Sequence, residues 1–364
     1  MKVLYLMHND WGWIKQRTHL LVEQLDTHFD WDVYVIYKFQ LKNRSTLGNK
    51  DRMRKGIGLP LLPFPYTSIK VLETIDKLIW RTLFKMYRFF GGYNVVVVTH
   101  PLLFKYVAGI IDKVIYDLHD DNAEFYGNNY LADQIAQQNE RLLAYADLVI
   151  FSSAYLRNKF LNKVQTENTG LIRNAHGLSM EHIELNYFSK KVAVGNNQSY
   201  KIFYFGTISE WFDYPALLTL LEQLENVEIH LVGPLDGKRI VHPRLRYYGA
   251  MPHTDMLRFV RKADAFIMPF IVNELILGVD PVKLYEYLAY PVPVFAKRYP
   301  EIEYFNDLIE FYDTNSELLN LVRNAMVRQK AASVYFDERI AFLKANSWTA
   351  RGAAMSKLMK AVVT

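Results

Sequence analysis

The sequence predicts an α/β protein made of two Rossmann-like domains, and three observations indicate this class. Apolar runs alternate with helical patterns along the chain, as parallel strands covered on both faces require. The alternation restarts after the polar stretch Gly195-Asn196-Asn197-Gln198-Ser199. The length of 364 residues exceeds the usual size of a single domain.

The first half contains five apolar runs that we predict to be strands, with a helical pattern at 18–25 between the first two. Each run ends in a polar segment, where an open parallel sheet places its ligands. The predicted strands are residues 3–6, 33–37, 95–99, 114–116 and 148–152.

The second half repeats this logic, because two of its predicted strands end at a glycine. The chain from about 317 to 363 has a helical pattern, with a predicted break near Asn346-Ser347. The predicted strands of this half are residues 201–205, 227–232, 265–269 and 292–296.

Composition and missing motifs exclude several classes. The chain has no cysteine, which rules out disulfides and thiolate metal sites. The apolar run at the N-terminus is too short for a secretory signal, and no run approaches a spanning helix. Neither GxGxxG nor Walker A follows any predicted strand, which argues against nicotinamide dehydrogenases and P-loop enzymes. The 25 Tyr and 22 Phe suit a core, a ligand site or a membrane interface equally.

The strongest local signal is the segment from Asp280 to Ala289, which reads DPVKLYEYLA. Pro281 suits a first helical turn and Asp280 suits the N-cap before it. Lys283 and Glu286 then share one helix face near its positive end. Such a face can bind a diphosphate through Lys283 and a ribose diol through Glu286. The competing interpretation is an exposed ion pair on an ordinary helix.

Together with this segment, five other stretches resemble GT-B fold glycosyltransferases of the bacterial exopolysaccharide, teichuronic acid and lipopolysaccharide type. They follow the family's order over nearly the whole chain. The stretches are WGWIKQRTH at 11–19, YDLHDD at 116–121, ADLVIFSS at 146–153, FGTISEWFD at 205–213 and NSWTAR at 346–351.

The resemblance implies two domains that face each other across a cleft. It implies an acceptor-binding domain at 1–190, a donor-binding domain at 200–345 and a C-terminal helix at 346–364 that crosses back to the first domain. The implied activity is transfer of a hexose from a nucleotide diphosphate sugar, UDP-sugars above all, to a glycan or lipid-linked glycan. The implied setting is cell-surface polysaccharide synthesis on the cytoplasmic face of the plasma membrane.

For the donor site, the resemblance implies that backbone amides at Gly206 and Thr207 approach the diphosphate, and that the loop containing Met251 frames the base. The competing interpretation of this loop is an ordinary strand-to-helix turn. We assign donor binding to Gly206, Thr207, Met251, Asp280, Lys283 and Glu286. Retaining relatives carry a glutamate eight residues before the ribose glutamate, where this chain has Gly278, so the stereochemistry stays open.

For catalysis, an inverting transferase needs a general base near the acceptor hydroxyl. Asp120 and Asp121 follow a strand end, and paired carboxylates raise each other's pKa. We expect Asp120 to be the base, with Asp121 second, although aspartates there also cap helices. His100 follows another strand end and could contact donor sugar or phosphate, and it could equally be a capping or core histidine.

For the acceptor, we expect Trp11 and Trp13 to form a stacking platform flanked by Lys15 and Arg17. The alternative is a tryptophan-rich turn that only packs on the core. No metal or other cofactor is expected, because no Asp-x-Asp follows a predicted strand and Lys283 can neutralise the leaving group.

Residues 41–90 form a basic and aromatic insertion. A cluster of Lys and Arg precedes a helical pattern at 68–90 that carries basic residues on one stripe and many large apolar residues. This composition suits a helix that lies in a lipid interface, and it equally suits a helix packed on the first domain with a solvated basic stripe. Nucleic acid is not an expected partner, because no nucleic-acid motif accompanies the charge.

Three other functions remain alternatives to a transferase. A sugar-nucleotide epimerase of similar architecture would act on the donor without an acceptor. A non-catalytic nucleotide- or glycan-binding protein would bind without turnover. A DNA-modifying transferase is a more distant possibility.

Overall fold

The computed structural model confirms the predicted fold class, because the chain forms two parallel α/β sheets, one of seven strands and one of six, among the residues it describes. Among the described residues, every strand pairing in both sheets is parallel, which agrees with the apolar runs in the sequence. The described residues are 1–12, 15–38, 55–59, 70–127, 129–189, 199–328 and 336–363.

The strands include all nine that the sequence predicts, with bounds that differ by a few residues, together with short strands that it does not reveal. In chain order they are β1 Lys2–Met7, β2 Asp32–Lys38, β3 Gly56–Leu59, β4 Val95–Val98, β5 Lys113–Leu118, β6 Leu148–Phe151, β7 Thr169–Leu171, β8 Tyr200–Phe205, β9 Val227–Val232, β10 Leu245–Tyr247, β11 Ala265–Met268, β12 Val294–Lys297 and β13 Glu310–Tyr312.

The helices fill the connections between the strands. The predicted break near Asn346-Ser347 is confirmed, because one helix ends at Ala345 and the next begins at Trp348. In chain order the helices are α1 Arg17–His28, α2 Lys70–Gly91, α3 Phe104–Val107, α4 Tyr130–Tyr145, α5 Ala154–Phe160, α6 Met180–Ser189, α7 Tyr214–Gln223, α8 His253–Phe259, α9 Glu274–Leu277, α10 Val282–Tyr287, α11 Asn315–Arg328, α12 Phe336–Ala345 and α13 Trp348–Val363.

Strand order places a switch point in each sheet. The first sheet has the order β3-β2-β1-β4-β5-β6-β7, so the winding reverses between β1 and β4. The second has the order β10-β9-β8-β11-β12-β13 and reverses between β8 and β11. Open α/β sheets bind ligands outside the carboxyl ends of strands at such reversals. The carboxyl ends of β1 and β4 in the first sheet, and of β8 and β11 in the second, are therefore where a site is expected.

The chain divides into two compact units at a different place from the predicted boundary. The first unit is Met1–Asn174 with Trp348–Thr364, and the second is Ala175–Ser347. The second unit begins before the predicted limit of 190 because Ile183 and Tyr187 of α6 belong to its core. In the first unit, α13 is held against the sheet end by a hydrogen bond of 2.9 Å from Trp31 Nε1 to Ser356 Oγ.

Much of the aromatic excess serves the two cores. In the second unit, the rings of Phe266 and Tyr287 stack with centroids 4.7 Å apart, and Phe205 meets Tyr287 edge-on at 4.6 Å. Such pairs stabilise a core beyond the area that they bury. The largest fully buried aromatic side chains are Trp31, Tyr5, Tyr116, Tyr204, Tyr285, Tyr287, Tyr312, Phe84, Phe151, Phe203, Phe205 and Phe266.

Part of the basic insertion falls outside the described residues, including Lys42, Arg44, Lys50, Arg52 and Arg54. At its end, Lys55 Nζ lies 2.5 Å from Asp32 Oδ1. Of the helices in the described ranges, none combines the length and the apolar content that crossing a bilayer would need.

A buried imidazole makes the first unit sensitive to acid. Burial lowers the pKa of His19 from its usual 6.5 to about 4, against the opposing hydrogen bond to the Trp11 carbonyl oxygen. As the pH falls below 6.5, the unfolded chain takes up a proton there that the folded chain refuses. The stability from this group is complete above pH 6.5 and is lost as the pH approaches 4.

We therefore expect the free energy of unfolding to fall by about 2 kcal/mol between pH 7 and pH 5 through His19 alone. Denaturant titrations of the wild type and of His19→Gln at both pH values measure this difference. The variant, which has no imidazole to titrate, should lose correspondingly less stability on acidification. Equal losses in the two proteins would show that His19 does not titrate as described.

Candidate functional site

Three histidines meet at the switch point of the first sheet. His8 follows β1, His100 follows β4 and His119 follows β5. The ring centroids of His8 and His100 are 4.9 Å apart, and those of His8 and His119 are 6.0 Å apart. Sequence reasoning selected only His100. The signal it missed is the position of His8 and His119 directly after neighbouring strands.

His119 lies beside the predicted base, Asp120. Its Nδ1 lies 3.1 Å from the carbonyl oxygen of Asp117, which can only accept, so Nδ1 carries the proton. The other ring nitrogen, Nε2, lies 3.7 Å from Asp120 Oδ2. Burial raises the pKa of Asp120, and the charges of His119 and Arg17 offset only part of that rise. A carboxylate with a raised pKa is a stronger base, which suits the predicted role.

Asp121, the second predicted base, has a different environment. Its side chain is buried, and Lys159 Nζ lies 2.9 Å from its Oδ2. Lys159 also reaches Glu124 Oε1 at 3.3 Å, so the lysine ties the loop after β5 to helix α5. An aspartate held in this way stabilises the loop. The structure therefore favours Asp120 over Asp121 as the base.

The predicted acceptor residue Arg17 is buried in an ion pair. Its Nη2 lies 2.9 Å from Asp117 Oδ1, and the two side chains are only 5% and 0% exposed. Arg17 Nη1 also donates to Asn174 Oδ1 at 3.3 Å. In this structure the guanidinium is therefore not exposed to a glycan acceptor. It neutralises a carboxylate that is buried at the end of β5, which is why the first turn of α1 docks there.

The predicted stacking platform is not formed by Trp11. This side chain is buried, and its ring lies 4.9 Å from the ring of His19. The alternative of a tryptophan that packs on the core is therefore the one observed. Lys15 Nζ lies 2.8 Å from Glu23 Oε1. Trp13 lies outside the described residues.

A group of exposed aromatic side chains follows Asp120 and Asp121, and the sequence analysis did not predict it. Phe125, Tyr126 and Tyr130 are exposed, although most aromatic side chains of this unit are buried. Asn129 caps α4 between them through hydrogen bonds to the N–H groups of Leu131 and Ala132. The signal available in the sequence was the aromatic run itself, Phe125-Tyr126, placed close to Asp120 in the chain.

In the second unit, helix α10 is attached to the end of β8. The Tyr287 hydroxyl donates to the Phe205 carbonyl oxygen and accepts from the Phe205 N–H, both at 3.2 Å. Lys283 Nζ lies 5.6 Å from the centre of the Phe205 ring. These contacts place the predicted diphosphate-binding lysine at the switch point of the second sheet.

Glu286 is buried between Lys283 and His253. Its Oε2 lies 3.1 Å from Lys283 Nζ, and its Oε1 lies 2.9 Å from His253 Nε2. Burial alone would raise its pKa, but Lys283 and His253 outweigh burial and lower the pKa to about 2. The carboxylate therefore stays ionised near neutral pH. The alternative of an exposed Lys–Glu pair is excluded, because Glu286 is buried.

Lys283 and His253 keep their outer sides accessible. Their side chains are 36% and 53% exposed, while Glu286 beneath them is 6% exposed. His253 begins α8, directly after the loop that contains Met251, which packs partly on the core. The sequence analysis assigned this loop to the nucleotide base but did not predict a role for His253.

Two glycines shape the end of β8. Gly206 has φ +151°, and a Cβ there would lie 2.8 Å from Tyr204 Oη. At Gly233, after β9, a Cβ would lie 2.0 Å from the Gly206 carbonyl oxygen. The Gly206 N–H already donates to the Val232 carbonyl oxygen at 2.9 Å. The predicted approach of an amide to a diphosphate therefore falls to Thr207, which is exposed.

Asp280 is not the predicted N-cap. Helix α10 begins at Val282, with Pro281 in the cap position and no side chain capping it. Both Asp280 carboxylate oxygens instead accept from the Tyr285 hydroxyl, at 3.0 and 3.1 Å, and the side chain is buried. The tyrosine one turn into the helix draws the carboxylate inward. Asp280 therefore contributes to the site indirectly, by holding Tyr285 of α10.

Helix α10 spans only six residues, so its dipole is a weak source of positive potential. The positive charge at this edge comes mainly from Lys283, with His253 adding charge when it is protonated. In the part of the chain that is described, no group of three or more His, Asp or Glu side chains is arranged to hold a metal ion.

Comparison with known proteins supports the fold. The sequence matches no family model and no curated protein. Among solved structures, the chain is similar over 100% of its length to 99% of sucrose-phosphate synthase from Thermosynechococcus elongatus, with a TM-score of 0.74 at 14% identity. It is similar over 99% of its length to all of Anabaena HepE in complex with UDP, with a TM-score of 0.68 at 14% identity.

A third similar structure is the lipopolysaccharide outer core galactosyltransferase WaaB, with a TM-score of 0.68, 11% identity and 99% of each chain covered. These structural neighbours include glycosyltransferases of the GT-B fold. At identities this low the likeness concerns the fold.

The buried pair of Arg17 and Asp117 yields a test of its structural role. Arg17→Met should lower the free energy of unfolding by about 3–5 kcal/mol, because Asp117 would remain buried without its cation. Denaturant unfolding measures the loss, and adding Asp117→Asn should restore part of it. Lys113→Met is the matched control, because the Lys113–Asp147 pair is partly exposed and should contribute under about 1 kcal/mol. Similar losses in both single variants would contradict the assignment.

Proposed function

We propose that this chain is a glycosyltransferase that moves a sugar, as a hexosyl group, from a nucleotide diphosphate sugar to a glycan or lipid-linked glycan acceptor. The observation that carries the proposal is the cluster of Lys283, Glu286 and His253 at the switch point of the second sheet. It offers an ionised, shielded carboxylate beside an accessible cation. That combination matches the two polar ends of a nucleoside diphosphate, a ribose diol and a pyrophosphate.

The donor would be held in two ways. Glu286, kept ionised by its neighbours, would accept hydrogen bonds from the ribose hydroxyls. Lys283 would lie against the diphosphate, whose negative charge grows as the bond to the sugar breaks. In this way the lysine favours departure of the nucleotide diphosphate without a metal ion. UDP is the proposed nucleotide, supported by the similar structures of Anabaena HepE in complex with UDP and with UDP-glucose.

The acceptor step would use the first unit. Asp120 would take the proton from the acceptor hydroxyl as that oxygen forms its bond to the sugar. His119 would border the same part of the site, since its Nε2 lies 3.7 Å from Asp120 Oδ2. The exposed rings of Phe125, Tyr126 and Tyr130 offer flat apolar surfaces of the kind on which sugar rings stack.

The proposed setting is synthesis of a cell-surface polysaccharide at the cytoplasmic face of the plasma membrane. Lipopolysaccharide enzymes among the similar structures support this setting, and so does the exposed apolar and basic helix α2. A sugar-nucleotide epimerase or a non-catalytic binding protein would share the donor cluster but would need no base for an acceptor.

Donor binding can be tested on the lysine. Lys283→Ala should weaken UDP binding roughly tenfold to a hundredfold, the loss expected for a charge-assisted contact. Isothermal titration with UDP measures the affinity. Lys344→Ala, which removes an exposed lysine of α12, is the control and should bind as the wild type does. If both variants keep the wild-type affinity for UDP, the assignment of Lys283 to donor binding is contradicted.

Transfer can be tested on the aspartate. Asp120→Asn should reduce the rate of transfer to acceptor roughly a hundredfold or more while UDP binding persists. The measurement is the mass of the acceptor after incubation with a UDP-sugar, since transfer adds one sugar. An unchanged rate in Asp120→Asn would remove Asp120 from the chemistry. A donor sugar that changes configuration without any heavier acceptor would instead identify an epimerase, and UDP binding without either product would identify a binding protein.

A further inference from the structure

Helix α2 has a second apolar face that the fold of the first unit does not use. Seven of its large apolar side chains are at least 49% exposed, and Phe89 reaches 83%. At 100° per residue these side chains fall within about 120° of the helix circumference. We call this set the outer stripe. It consists of Val71, Ile75, Leu78, Ile79, Met86, Phe89 and Phe90.

The opposite face attaches the helix to its domain. Trp80 and Phe84 are 5% and 0% exposed and belong to the core of the first unit. The buried carboxylate of Asp76 accepts a hydrogen bond of 2.6 Å from the Tyr106 hydroxyl. Since these contacts hold α2 in place, the outer stripe is not needed for folding. Thr82 interrupts the stripe, but its hydroxyl donates to the Leu78 carbonyl oxygen at 2.9 Å. An exposed apolar stripe of this kind marks an interaction surface.

Basic side chains border the outer stripe along one side. Lys77 and Lys85 are exposed there. Arg81, in the same row, is turned toward the protein, where it donates to the carbonyl oxygens of Lys105 and Ala108 at 3.3 and 2.9 Å. Arg88, also exposed in this sector, has its Nη2 2.5 Å from Asp112 Oδ1, so Lys77 and Lys85 supply the charge argued for here. Long lysine side chains beside apolar surface suit a layer in which acyl chains lie below anionic head groups.

A second copy of the chain fits this surface less well. Helix α2 has 22 residues, so it is about 33 Å long, and a stripe about 10 Å wide along it offers roughly 330 Å². A stable dimer usually buries about 800 Å² on each partner. The stripe also ends in two protruding rings, Phe89 and Phe90, which lie edge-on to each other at 5.1 Å. Such protrusions enter lipid readily.

We infer that the outer stripe of α2 is a membrane-binding surface, with its apolar side chains among the acyl chains and Lys77 and Lys85 at anionic head groups. This names the partner of the proposed transferase, but it does not depend on the donor chemistry. It also separates the two explanations of the sequence pattern. One face of α2 packs on the domain, and a different face is left for lipid.

The direction of α2 relates this surface to the candidate site. Glu73, in its first turn, lies 3.0 Å from Lys105 Nζ in helix α3, which follows the carboxyl end of β4 and His100. Phe89 and Phe90 lie at the other end, before β4 begins. The start of α2 is thus at the same sheet edge as His100 and Asp120. A lipid surface along the helix would reach the edge where a lipid-linked acceptor is needed.

The test is sedimentation of the full chain with vesicles, without nucleotide. The wild type should bind phosphatidylcholine vesicles that contain phosphatidylglycerol, and bind less when salt screens the lysines. Leu78→Ser with Phe89→Ser should lower the vesicle affinity roughly tenfold or more, because two exposed side chains no longer enter the lipid. Val327→Ser with Val241→Ser, which removes two exposed apolar side chains from the second unit, is the matched control and should bind normally.

Charge is tested separately with Lys77→Glu and Lys85→Glu together, which should weaken binding to the phosphatidylglycerol vesicles more than to phosphatidylcholine alone. Thermal unfolding and UDP titration of each variant show that fold and donor site are intact. The inference is overturned if the wild type does not bind the anionic vesicles at low salt, or if the Leu78/Phe89 variant binds as well as the control. It is also overturned if the wild type is a dimer that these serines dissociate and no vesicle binding is seen.

Discussion

Compensation of buried charge organises both candidate edges of this protein. In the first unit Arg17 and Asp117 neutralise each other where neither reaches solvent. In the second unit Glu286 is equally buried, but its partners Lys283 and His253 remain partly exposed. In a fully buried pair such as Arg17 and Asp117, each charge neutralises the other. The pair therefore has a structural role and offers no charge to a ligand. An open cluster keeps donors facing outward, and so it can exchange some of its internal contacts for contacts with a ligand. This difference makes the second edge the better candidate for nucleotide binding.

Long apolar runs made the fold predictable from the sequence. Strands such as β4 and β9 are buried along almost their whole length, so their residues need little context to be recognised. The strands that escaped prediction, β3, β7, β10 and β13, have three or four residues each and lie toward sheet edges, where partial exposure breaks up the apolar signal. The unit boundary was placed too late for a related reason. The polar stretch near 195 follows α6, whose core contacts are long-range and leave no local mark.

The candidate site was less predictable, because a sequence does not show which way a polar side chain faces. Lys283 and Glu286 were identified by their spacing. The second partner of the Glu286 carboxylate, His253, is the first residue of α8 and is distant in sequence. Asp120 and Asp121 look equivalent in the sequence. Only the fold brings Lys159 to Asp121, whereas His119 already precedes Asp120 in the chain. Arg17 and Asp280 are polar residues at the right positions whose partners, Asp117 and Tyr285, turn them inward.

The contact between Gly206 and Gly233 links two strand ends that are distant in sequence. A Cβ at position 233 would lie only 2.0 Å from the carbonyl oxygen of Gly206. The ends of β8 and β9 can therefore keep their spacing only while position 233 lacks a side chain. Every residue at the first position has this carbonyl oxygen, so the second position, 233, should remain glycine in any lineage that retains this backbone. A chain with alanine at the second position should have strands that splay apart at this end, which would enlarge the space above them and alter the size of molecule admitted.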